Sequence, residues 1–305
     1  MLNGWNGRRV VVAGGAGFIG RHLTRALVAA GADVAVVDDL STGRDMGLAP
    51  LTVADVTSLD RLPIAAEVVF NLACPASPRA YQADPVQTWK TSVLGTMRLA
   101  ELALAAGARI VQASTSEVYG DPLLHPQTED YPGNVALTGP RACYDEGKRA
   151  AEVLLYDMAR MAGLDVRVAR VFNTYGPGMA LGDGRALPAF IEAARAGEPL
   201  RLEGGGAQTR SFCHVSDMVR GLMALALCDA AAAMPVNLGN PDERTIREAA
   251  ETVVRLTGSR SPLVEVAPAA NDPRRRCPDI TRARSLLGWE PVVGFEAGLR
   301  SMLDD

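Results

Sequence analysis

The sequence predicts an α/β fold in which a doubly wound parallel sheet carries a smaller C-terminal lobe. A β-branched run at residues 9–13 leads directly into a glycine-rich turn and then into a helical pattern. Further short apolar runs alternate with helical patterns up to residue 175, as in a parallel sheet with crossover helices. Several of these runs end in polar side chains, and open α/β sheets bind ligands at the carboxyl ends of their strands.

Length, charge and hydropathy exclude several classes of protein. A chain of 305 residues can bury a large core and form two lobes. Its formal net charge is −4 and its longest basic run is Arg274 to Arg276, so we expect no nucleic-acid partner. No segment has the length and hydropathy of a signal peptide or a membrane span. We therefore expect a soluble, cytoplasmic protein.

The cysteines and histidines indicate reduced thiols and no metal site. Five scattered cysteines include no Cys-x-x-Cys pair, which favours free thiols over disulfides or bound zinc. The three histidines, His22, His125 and His214, lie far apart in the sequence and lack the spacing of metal ligands.

The turn after the first apolar run has the spacing Gly-x-x-Gly-x-x-Gly, from Gly14 to Gly20. A helix predicted over His22 to Ala30 follows, and then a strand over Val34 to Val37 that ends at Asp38. Glycines in such a turn let the backbone approach a pyrophosphate at the helix N-terminus. Asp38 would accept hydrogen bonds from the adenosine ribose and repel a 2′-phosphate. We therefore predict a Rossmann-type sheet that binds NAD, the alternative being a purely structural turn.

Other strand ends are predicted to complete the cofactor site. A strand over Pro50 to Val53 leads to Asp55, which would flank the adenine, and a strand over Val68 to Ala73 leads to Cys74. The alternative for each is an ordinary strand end. Apart from two residues introduced below, the predicted cofactor-binding residues are Gly14, Gly17, Phe18, Ile19, Gly20, Asp38, Asp39, Leu40, Thr42, Asp55, Val56, Leu72, Cys74, Thr91 and Ala113.

Residues 114–120 read Ser-Thr-Ser-Glu-Val-Tyr-Gly and follow an apolar strand predicted over Ala108 to Ala113. A helix predicted over Thr91 to Ala106 precedes that strand. A parallel strand that ends in hydroxyls and a carboxylate carries them to the ligand-binding edge of the sheet. A polar turn that only closes the strand is the alternative.

Tyr144 and Lys148 lie four residues apart in a helix predicted to continue to about Ala162, so they share one helix face. A phenol has a reference pKa near 10, but a nearby ammonium and a cationic nicotinamide would lower the pKa of Tyr144. The residue would then serve as a general base for an alcohol, and both residues would contact the cofactor. A surface pair is the alternative. However, Lys148 is one of only two lysines here, which favours a site that needs an ammonium.

In the C-terminal half, predicted strands and helices alternate less regularly. We predict that residues 1–175 and 211–238 form the NAD-binding domain, and that residues 176–210 and 239–305 form the smaller lobe. Isolated arginines in that lobe suit an anionic substrate. The elements predicted here are strands over Val166 to Phe172, Ser211 to Val215 and Val236 to Leu238, and helices over Leu187 to Ala196, Val215 to Leu227 and Thr245 to Thr257.

Taken together, these motifs resemble the extended short-chain dehydrogenase/reductases that act on nucleotide sugars. Within that family the resemblance is to the UDP-glucuronate decarboxylases, and it covers nearly the whole chain. It rests on long segments such as ASTSEVYGDPLLHPQTE, GPRACYDEGKRAAE and GGAQTRSFCHVSD. The triplet Thr115-Ser116-Glu117 is specific, because related dehydratases carry an Asp-Glu pair at positions 116 and 117 and related 4-epimerases carry small residues.

The resemblance implies an NAD-dependent conversion of UDP-glucuronate to UDP-xylose. Tyr144 and Lys148 would support transient oxidation of the sugar at C4, after which CO₂ leaves from C5 and the hydride returns to C4. Thr115 would hydrogen-bond the C4 oxygen as negative charge develops there. Ser116 and Glu117 would orient the ring or manage the proton at C5. These five residues are the predicted catalytic set.

The resemblance also implies residues that hold the substrate. Lys90 and one arginine of the 274–276 cluster, with Arg276 favoured, would approach the sugar carboxylate or the diphosphate. A surface charge is the alternative for each arginine. The whole predicted substrate-binding set is Lys90, Glu117, Tyr144, Asn173, Arg185, Arg210 and Arg276.

The chain departs from the family pattern at four single residues and in one loop. The residues are Arg98, Gly178, His214 and Cys277, where asparagine, arginine, tyrosine and lysine are common, and the loop is Tyr131-Pro132-Gly133, where an aromatic residue is expected before the glycine. Family members commonly dimerise through the helices that here follow Thr91 and Tyr144, so a homodimer is expected.

Three alternative functions remain open from the sequence. The same scaffold supports 4,6-dehydration or 4-epimerisation of a nucleotide hexose. A decarboxylase could also stop at the UDP-4-keto-pentose and release NADH. A non-catalytic NAD-binding sensor is the third alternative, although such a protein would not need Thr115, Tyr144 and Lys148 together.

Overall fold

The computed structural model describes residues 4–180, 182, 184–268 and 273–304. Its main sheet contains the strands β1 (Arg9–Ala13), β2 (Asp33–Asp38), β3 (Leu51–Val53), β4 (Val68–Asn71), β5 (Arg109–Thr115), β6 (Val166–Val171) and β11 (Pro235–Leu238). The spatial order is β11-β6-β5-β4-β1-β2-β3, and every neighbouring pair is parallel. The predicted doubly wound parallel sheet is confirmed.

Helices cover both faces of this sheet and build the smaller lobe. They are α1 (Phe18–Ala29), α2 (Pro78–Ala83), α3 (Pro85–Lys90), α4 (Thr96–Ala106), α5 (Ala142–Ala162), α6 (Ala186–Ala196), α7 (Val215–Leu227), α8 (Ile246–Thr257), α9 (Thr281–Leu287) and α10 (Phe295–Leu303). A π-helical turn at Thr91–Gly95 joins α3 to α4. No helix in the described parts of the chain is long and apolar enough to span a membrane.

Two apolar clusters hold the helices against the sheet. Successive side chains of a strand point to opposite faces. Accordingly, Val10 and Val12 of β1 belong to a cluster with Leu27 and Leu222 of α1 and α7. Val11 belongs to the other cluster, which includes residues of α4 and α5. The sheet is therefore buried on both sides, as its nearly continuous apolar strands require.

Three small sheets lie outside the main one. β7 (Thr174–Tyr175) pairs with β10 (Cys213–His214), β8 (Leu200–Glu203) with β13 (Leu263–Val266), and β9 (Thr209–Ser211) with β12 (Glu243–Thr245). The single strand predicted over Ser211 to Val215 is wrong. Instead, Ser211 is the last residue of β9, Cys213 and His214 form β10, and Val215 begins α7. The proposed division into two domains stays a prediction.

Two predicted helix starts also need correction. The helix predicted from His22 begins at Phe18, because Gly17 has an extended backbone (φ −70°, ψ 175°) and is the cap residue. The helix predicted from Thr91 starts as the π-helical turn and becomes an α-helix at Thr96.

Candidate active site

The glycine turn lies where the strand order of the main sheet reverses, between β1 and β4. Gly14 has φ +77°, and a Cβ atom on it would lie 2.6 Å from the carbonyl carbon of Leu72. A Cβ atom on Gly20 would lie 2.0 Å from the Gly14 oxygen. Glycine is therefore required at both positions for α1 to begin at this crevice, which is where open α/β sheets bind ligands.

The start of α1 fits an anionic diphosphate. Gly17 caps the helix without a side-chain hydrogen bond, and the first turn contains no acidic residue. The first N–H groups of a helix lack intrahelical partners and carry partial positive charge. Those of Phe18 and Ile19 are thus suited to bind phosphate oxygens of a dinucleotide.

Asp38 lies at the end of β2, beside this turn, and is buried. One carboxylate oxygen accepts a hydrogen bond from the Ala16 N–H at 3.0 Å and the other accepts one from the Leu40 N–H at 2.8 Å. Burial raises the pKa of Asp38, although these N–H groups oppose that shift. Each oxygen keeps a lone pair, so the carboxylate can still accept hydrogen bonds from ribose hydroxyls.

The other predicted cofactor residues line the same edge of the sheet. Gln87 donates to Asp55 at 3.0 Å and to Thr91 at 3.4 Å, so it joins two of these residues. Cys74 lies 3.1 Å from the buried hydroxyl of Ser92. Asp39 accepts hydrogen bonds from Ser41, and Thr42 is exposed beyond it. Their assignment to the cofactor stays a prediction.

Tyr144 and Lys148 lie on α5 against the carboxyl end of β5, and both are buried. The ammonium of Lys148 donates to the Ala113 carbonyl oxygen at 2.9 Å and lies 5.8 Å from the ring centroid of Tyr144. The Thr115 hydroxyl lies close enough to the phenol to lower its pKa. The structure therefore brings together three residues of the predicted catalytic set.

Within the protein chain, burial raises the pKa of Tyr144 and the nearby Cys74 adds to that effect, whereas the Thr115 hydroxyl lowers it. The predicted lowering depends on Lys148 together with a cationic nicotinamide, so it stays a prediction for the protein with bound cofactor.

Glu117 is held by two guanidinium groups. Arg141 donates to its Oε2 atom at 2.6 Å and Arg276 donates to the same oxygen at 2.7 Å, so Oε1 is left for another partner. Burial alone would raise the pKa of Glu117, but Arg276 and Arg141 outweigh it and Arg210 adds to their effect. The pKa is therefore below its usual range, and Glu117 is an anion. Arg276 also donates to Asn173 at 3.3 Å.

Three residues of this site were not predicted from the sequence. They are Tyr81, Arg141 and Asp145. Arg141 contacts Asp145 at 3.8 Å as well as Glu117. Burial raises the pKa of Asp145 to about 7, and the negative charge of Glu117 contributes to that shift. All three residues lie within segments that resemble the family, but nothing local in the sequence brings them to Tyr144 and Glu117.

A buried polar network fixes the end of β5 behind the site. Glu152 of α5 accepts hydrogen bonds from Ser114 and, at 2.8 Å, from Arg170. Arg170 also donates to the Tyr119 hydroxyl at 3.0 Å, which in turn donates to Asn237 at 2.7 Å. Because buried polar groups are costly when they are unpaired, this network favours a single position for residues 114–119.

Two predicted substrate residues lie away from Glu117. Lys90 is the exposed last residue of α3 and makes no hydrogen bond or ion pair with any residue that the structure describes. Arg185 precedes α6, and its guanidinium lies 5.9 Å from the ring centroid of Phe18, near the start of α1. Their roles stay predictions.

The departures from the family pattern have local explanations. A Cβ atom on Gly178 would lie 2.1 Å from a guanidinium nitrogen of Arg21, so Arg21 fills the space where an arginine at position 178 would begin. Arg98 donates to the Leu59 carbonyl oxygen at 2.7 Å. His214 accepts a hydrogen bond from the Ser216 N–H at the start of α7.

Comparisons with known proteins agree with this geometry. Residues 10–239 match the model of the NAD dependent epimerase/dehydratase family. The chain is 47% identical over 302 residues to UDP-glucuronic acid decarboxylase 1 of Danio rerio, covering 97% of this chain and 72% of the relative. It is 48% identical over 306 residues to UDP-glucuronic acid decarboxylase 5 of Arabidopsis thaliana, covering 97% and 89%.

Solved structures share the whole fold. MoeE5, in complex with UDP-glucuronic acid and NAD, is 32% identical and superimposes with a TM-score of 0.85, covering 97% of this chain and 98% of its own. A UDP-glucose 4-epimerase of Thermotoga maritima, solved with UDP-glucose, is 27% identical with a TM-score of 0.88 and covers 97% of both chains.

Proposed function

This chain belongs to the NAD dependent epimerase/dehydratase family, and we propose that it converts UDP-glucuronate to UDP-xylose with bound NAD. The observation that carries the proposal is the pairing of Glu117 with Arg141 and Arg276 beside the hydroxyls of Tyr144 and Thr115. A half-buried anion at this point distinguishes the site from one that only oxidises an alcohol. Relatives named UDP-glucuronic acid decarboxylase, at 47–48% identity, support the same activity.

The residues around Tyr144 perform the oxidation half of the reaction. NAD, held at the glycine turn and Asp38, supplies a hydride acceptor for C4 when it is bound. Lys148, anchored on the Ala113 carbonyl, stabilises Tyr144 as the phenolate, which removes the C4 hydroxyl proton and becomes the phenol. Thr115 donates a hydrogen bond to the C4 oxygen.

The oxidised sugar is a β-keto acid, and its C4 carbonyl accepts the electron pair released when CO₂ leaves. Negative charge then develops on the C4 oxygen, next to Thr115 and Tyr144, where prepositioned donors are most effective. A proton has to reach C5 afterwards. Ser116 and Glu117 lie next along the chain from Thr115 and are our candidates for orienting the ring and for passing that proton on from solvent, because Glu117 is itself an anion.

The arginines beside Glu117 fit an anionic substrate. Arg210 and Arg276 are both buried, and Arg276 already spans Glu117 and Asn173. Guanidinium groups suit carboxylates and diphosphates because they donate in a planar fork. We assign this cluster to the sugar carboxylate and the adjoining phosphates. Lys90 and Arg185 remain candidates for the outer part of the nucleotide.

A panel of nucleotide sugars tests the proposal. The protein is incubated separately with UDP-glucuronate, UDP-glucose and dTDP-glucose, and products are identified by mass spectrometry while CO₂ and NADH are measured. We expect only UDP-glucuronate to react, with one CO₂ per UDP-pentose and no accumulation of NADH. Accumulating NADH with a UDP-4-keto-pentose would indicate that the reaction stops before reduction. Dehydration or epimerisation of a hexose, or no turnover at all, would contradict the proposal.

We also propose a homodimer formed through the helices around α5. α3 and α4 both pack on α5. These three helices and the π-helical turn between α3 and α4 expose Val86, Trp89, Leu94, Met97 and Val153. Solvent-exposed apolar side chains that cluster on one face are typical of an interface. We infer that the same face of a second copy of the chain covers this surface.

A cytoplasmic location is consistent with this function. All five cysteines are free thiols. Their scattered positions are typical of a reducing compartment. We propose that the protein works there on a soluble UDP-sugar, without nucleic-acid or membrane partners.

A further inference from the structure

Three side chains outside the active site bring together the donor atoms of a metal site. They are the imidazole of His125, the carboxylate of Glu243 and the thiol of Cys277, whose ligating atoms all lie within 4.8 Å of one another. The Nε2 atom of His125 is 3.1 Å from Oε2 of Glu243. We propose that these three residues bind a divalent cation of borderline softness, with zinc as the best match.

The donor set favours zinc over harder cations. Imidazole nitrogen, thiolate sulfur and carboxylate oxygen are the three ligand types that zinc takes in proteins, whereas magnesium and calcium prefer oxygen alone. Zn–N bonds of about 2.0 Å and Zn–S bonds of about 2.3 Å would place tetrahedral ligands roughly 3.3–3.8 Å apart. The three ligating atoms therefore have to move slightly closer together. The imidazole of His125 can move because its side chain is 29% exposed. The same exposure allows water to occupy the fourth ligand position.

A second observation lies beside the thiol, which donates to the Pro241 carbonyl oxygen at 3.6 Å. Ser211 is 1% exposed, and its hydroxyl faces Cys277 but has no hydrogen-bond partner of ordinary geometry among the described residues. A metal-bound thiolate would accept a hydrogen bond from Ser211. Thr209 already donates to Glu243 and would orient that ligand.

The charges balance when a divalent cation binds. The S–H bond of Cys277 breaks, its proton passes to solvent and a sulfur–metal bond forms. Neutral His125 donates the lone pair of Nε2, and Glu243 binds as the carboxylate. The two negative ligands neutralise the cation, and no electron is transferred.

The site would connect chain segments that surround the active site. Cys277 directly follows Arg276, which holds Glu117. Its backbone is tied to Gln127 by two hydrogen bonds, of 2.8 and 2.9 Å, so the loop that carries His125 is already its neighbour. A metal bound to residues of both loops and to β12 would hold these three segments together. It should therefore stabilise the folded protein.

The test uses the full-length protein, stripped of metal with a chelator. Zinc binding is measured by competition with a chromogenic chelator, and Co²⁺ serves as a spectroscopic substitute. We expect one zinc per chain, a thiolate-to-cobalt charge-transfer absorption, and a rise in melting temperature with zinc. Cys277→Ser and His125→Ala should each weaken zinc binding by more than about 100-fold, because losing only an outer-shell partner costs up to roughly that much.

Matched controls separate a site from incidental binding. Cys228→Ser removes a thiol that lies outside the cluster and should bind zinc like the parent. The side chain of His125 lies at the protein surface, so His125→Ala should retain the fold and tests the site even where Cys277→Ser does not fold. Unchanged zinc affinity in His125→Ala, or no thiolate absorption with Co²⁺, would overturn the proposal. Nucleotide-sugar turnover does not enter this test, so its outcome is independent of the proposed reaction.

Discussion

The ring of Tyr81 lies flat against the ring of Tyr144, with centroids 5.1 Å apart and ring planes 10° from parallel. Tyr81 belongs to the short helix α2, whereas Tyr144 lies in the first turn of the long helix α5. The stack therefore makes α2 one wall of the site. It fixes the plane of the phenol that we propose as the general base, and it contributes to the burial that raises its pKa.

We expect the ring of Tyr81, and not its hydroxyl, to stabilise the site. That hydroxyl is buried without a hydrogen-bond partner among the residues described. Tyr81→Phe should therefore be at least as stable as the parent, because it removes an unpaired polar group that costs about 1–3 kcal/mol. Tyr81→Ala should lower the free energy of unfolding by roughly 3–5 kcal/mol and also lower kcat. Urea unfolding measures the stability of each variant, and steady-state kinetics measures its kcat. Equal loss of stability in the two variants would contradict this role.

We expect Glu117→Gln to reduce CO₂ release far more than NAD binding. The substitution keeps the shape of the side chain but removes the negative charge that pairs with Arg141 and Arg276. Because positioned acid–base groups typically contribute 10²–10⁴-fold, kcat should fall by about that factor. Isothermal titration with NAD and a CO₂ assay provide the two readouts. Glu198→Gln, at an exposed position after α6, is the control. Comparable CO₂ release by both variants would exclude Glu117 from the chemistry.

The titration of Asp145 should be visible in the pH dependence of protein stability. Its pKa is 3.8 in the unfolded reference and about 7 in the folded protein, owing to burial and to Glu117. Folding is thus stabilised by the protonated form, and this contribution is lost as the pH rises from about 4 through 7. Within that window, each pH unit lowers the free energy of unfolding by about 1.4 kcal/mol at most.

Asp145→Asn mimics the protonated carboxyl and does not titrate. Between pH 5 and pH 8, the free energy of unfolding of the parent should fall relative to this variant by roughly 2 kcal/mol. Urea unfolding at the two pH values measures the difference. Parallel pH profiles for the two proteins would show that Asp145 does not take up a proton near neutral pH.

The proposed dimer predicts a selective effect of charge on the α3–α5 surface. Met97 and Val153 are 37% and 60% exposed, so Met97→Glu combined with Val153→Glu should leave the fold intact. A buried pair of like charges at the interface should convert the dimer to a monomer, as measured by light scattering. Val292→Glu, at a site that is 71% exposed and lies elsewhere, should remain dimeric. A monomeric parent protein would refute the interface directly.

The features that the sequence predicted best are local ones. The turn at Gly14 to Gly20, the acid at Asp38 and the pair Tyr144–Lys148 each depend on a few adjacent residues, and the fold then brings them to one edge of the sheet. The strand before Thr115 was recognised because it is apolar and bounded by turn residues. Here local pattern and tertiary structure agree, as a consistent sequence requires.

The features that were missed depend on contacts between distant segments. The sequence predicted Arg276 as a substrate residue, but not that it meets Arg141, just before α5, at one oxygen of Glu117. Tyr81 likewise reaches Tyr144 from α2. β8 shows alternating burial over Leu200–Glu203, but four residues are too few to identify a strand without its partner β13. The burial that raises the pKa of Tyr144 within the protein chain was not foreseen either, because burial is a tertiary property that spacing does not reveal.

The central claim is that C4 is oxidised and then reduced by the same hydride around the loss of CO₂. UDP-glucuronate carrying deuterium at C4 tests it most directly, with the product examined by mass spectrometry and NMR. We expect one CO₂ for each UDP-xylose and deuterium retained at C4, and we expect Tyr144→Phe to abolish both product and CO₂. Release of CO₂ with loss of the C4 deuterium, or release at a near-parental rate by Tyr144→Phe, would contradict the account.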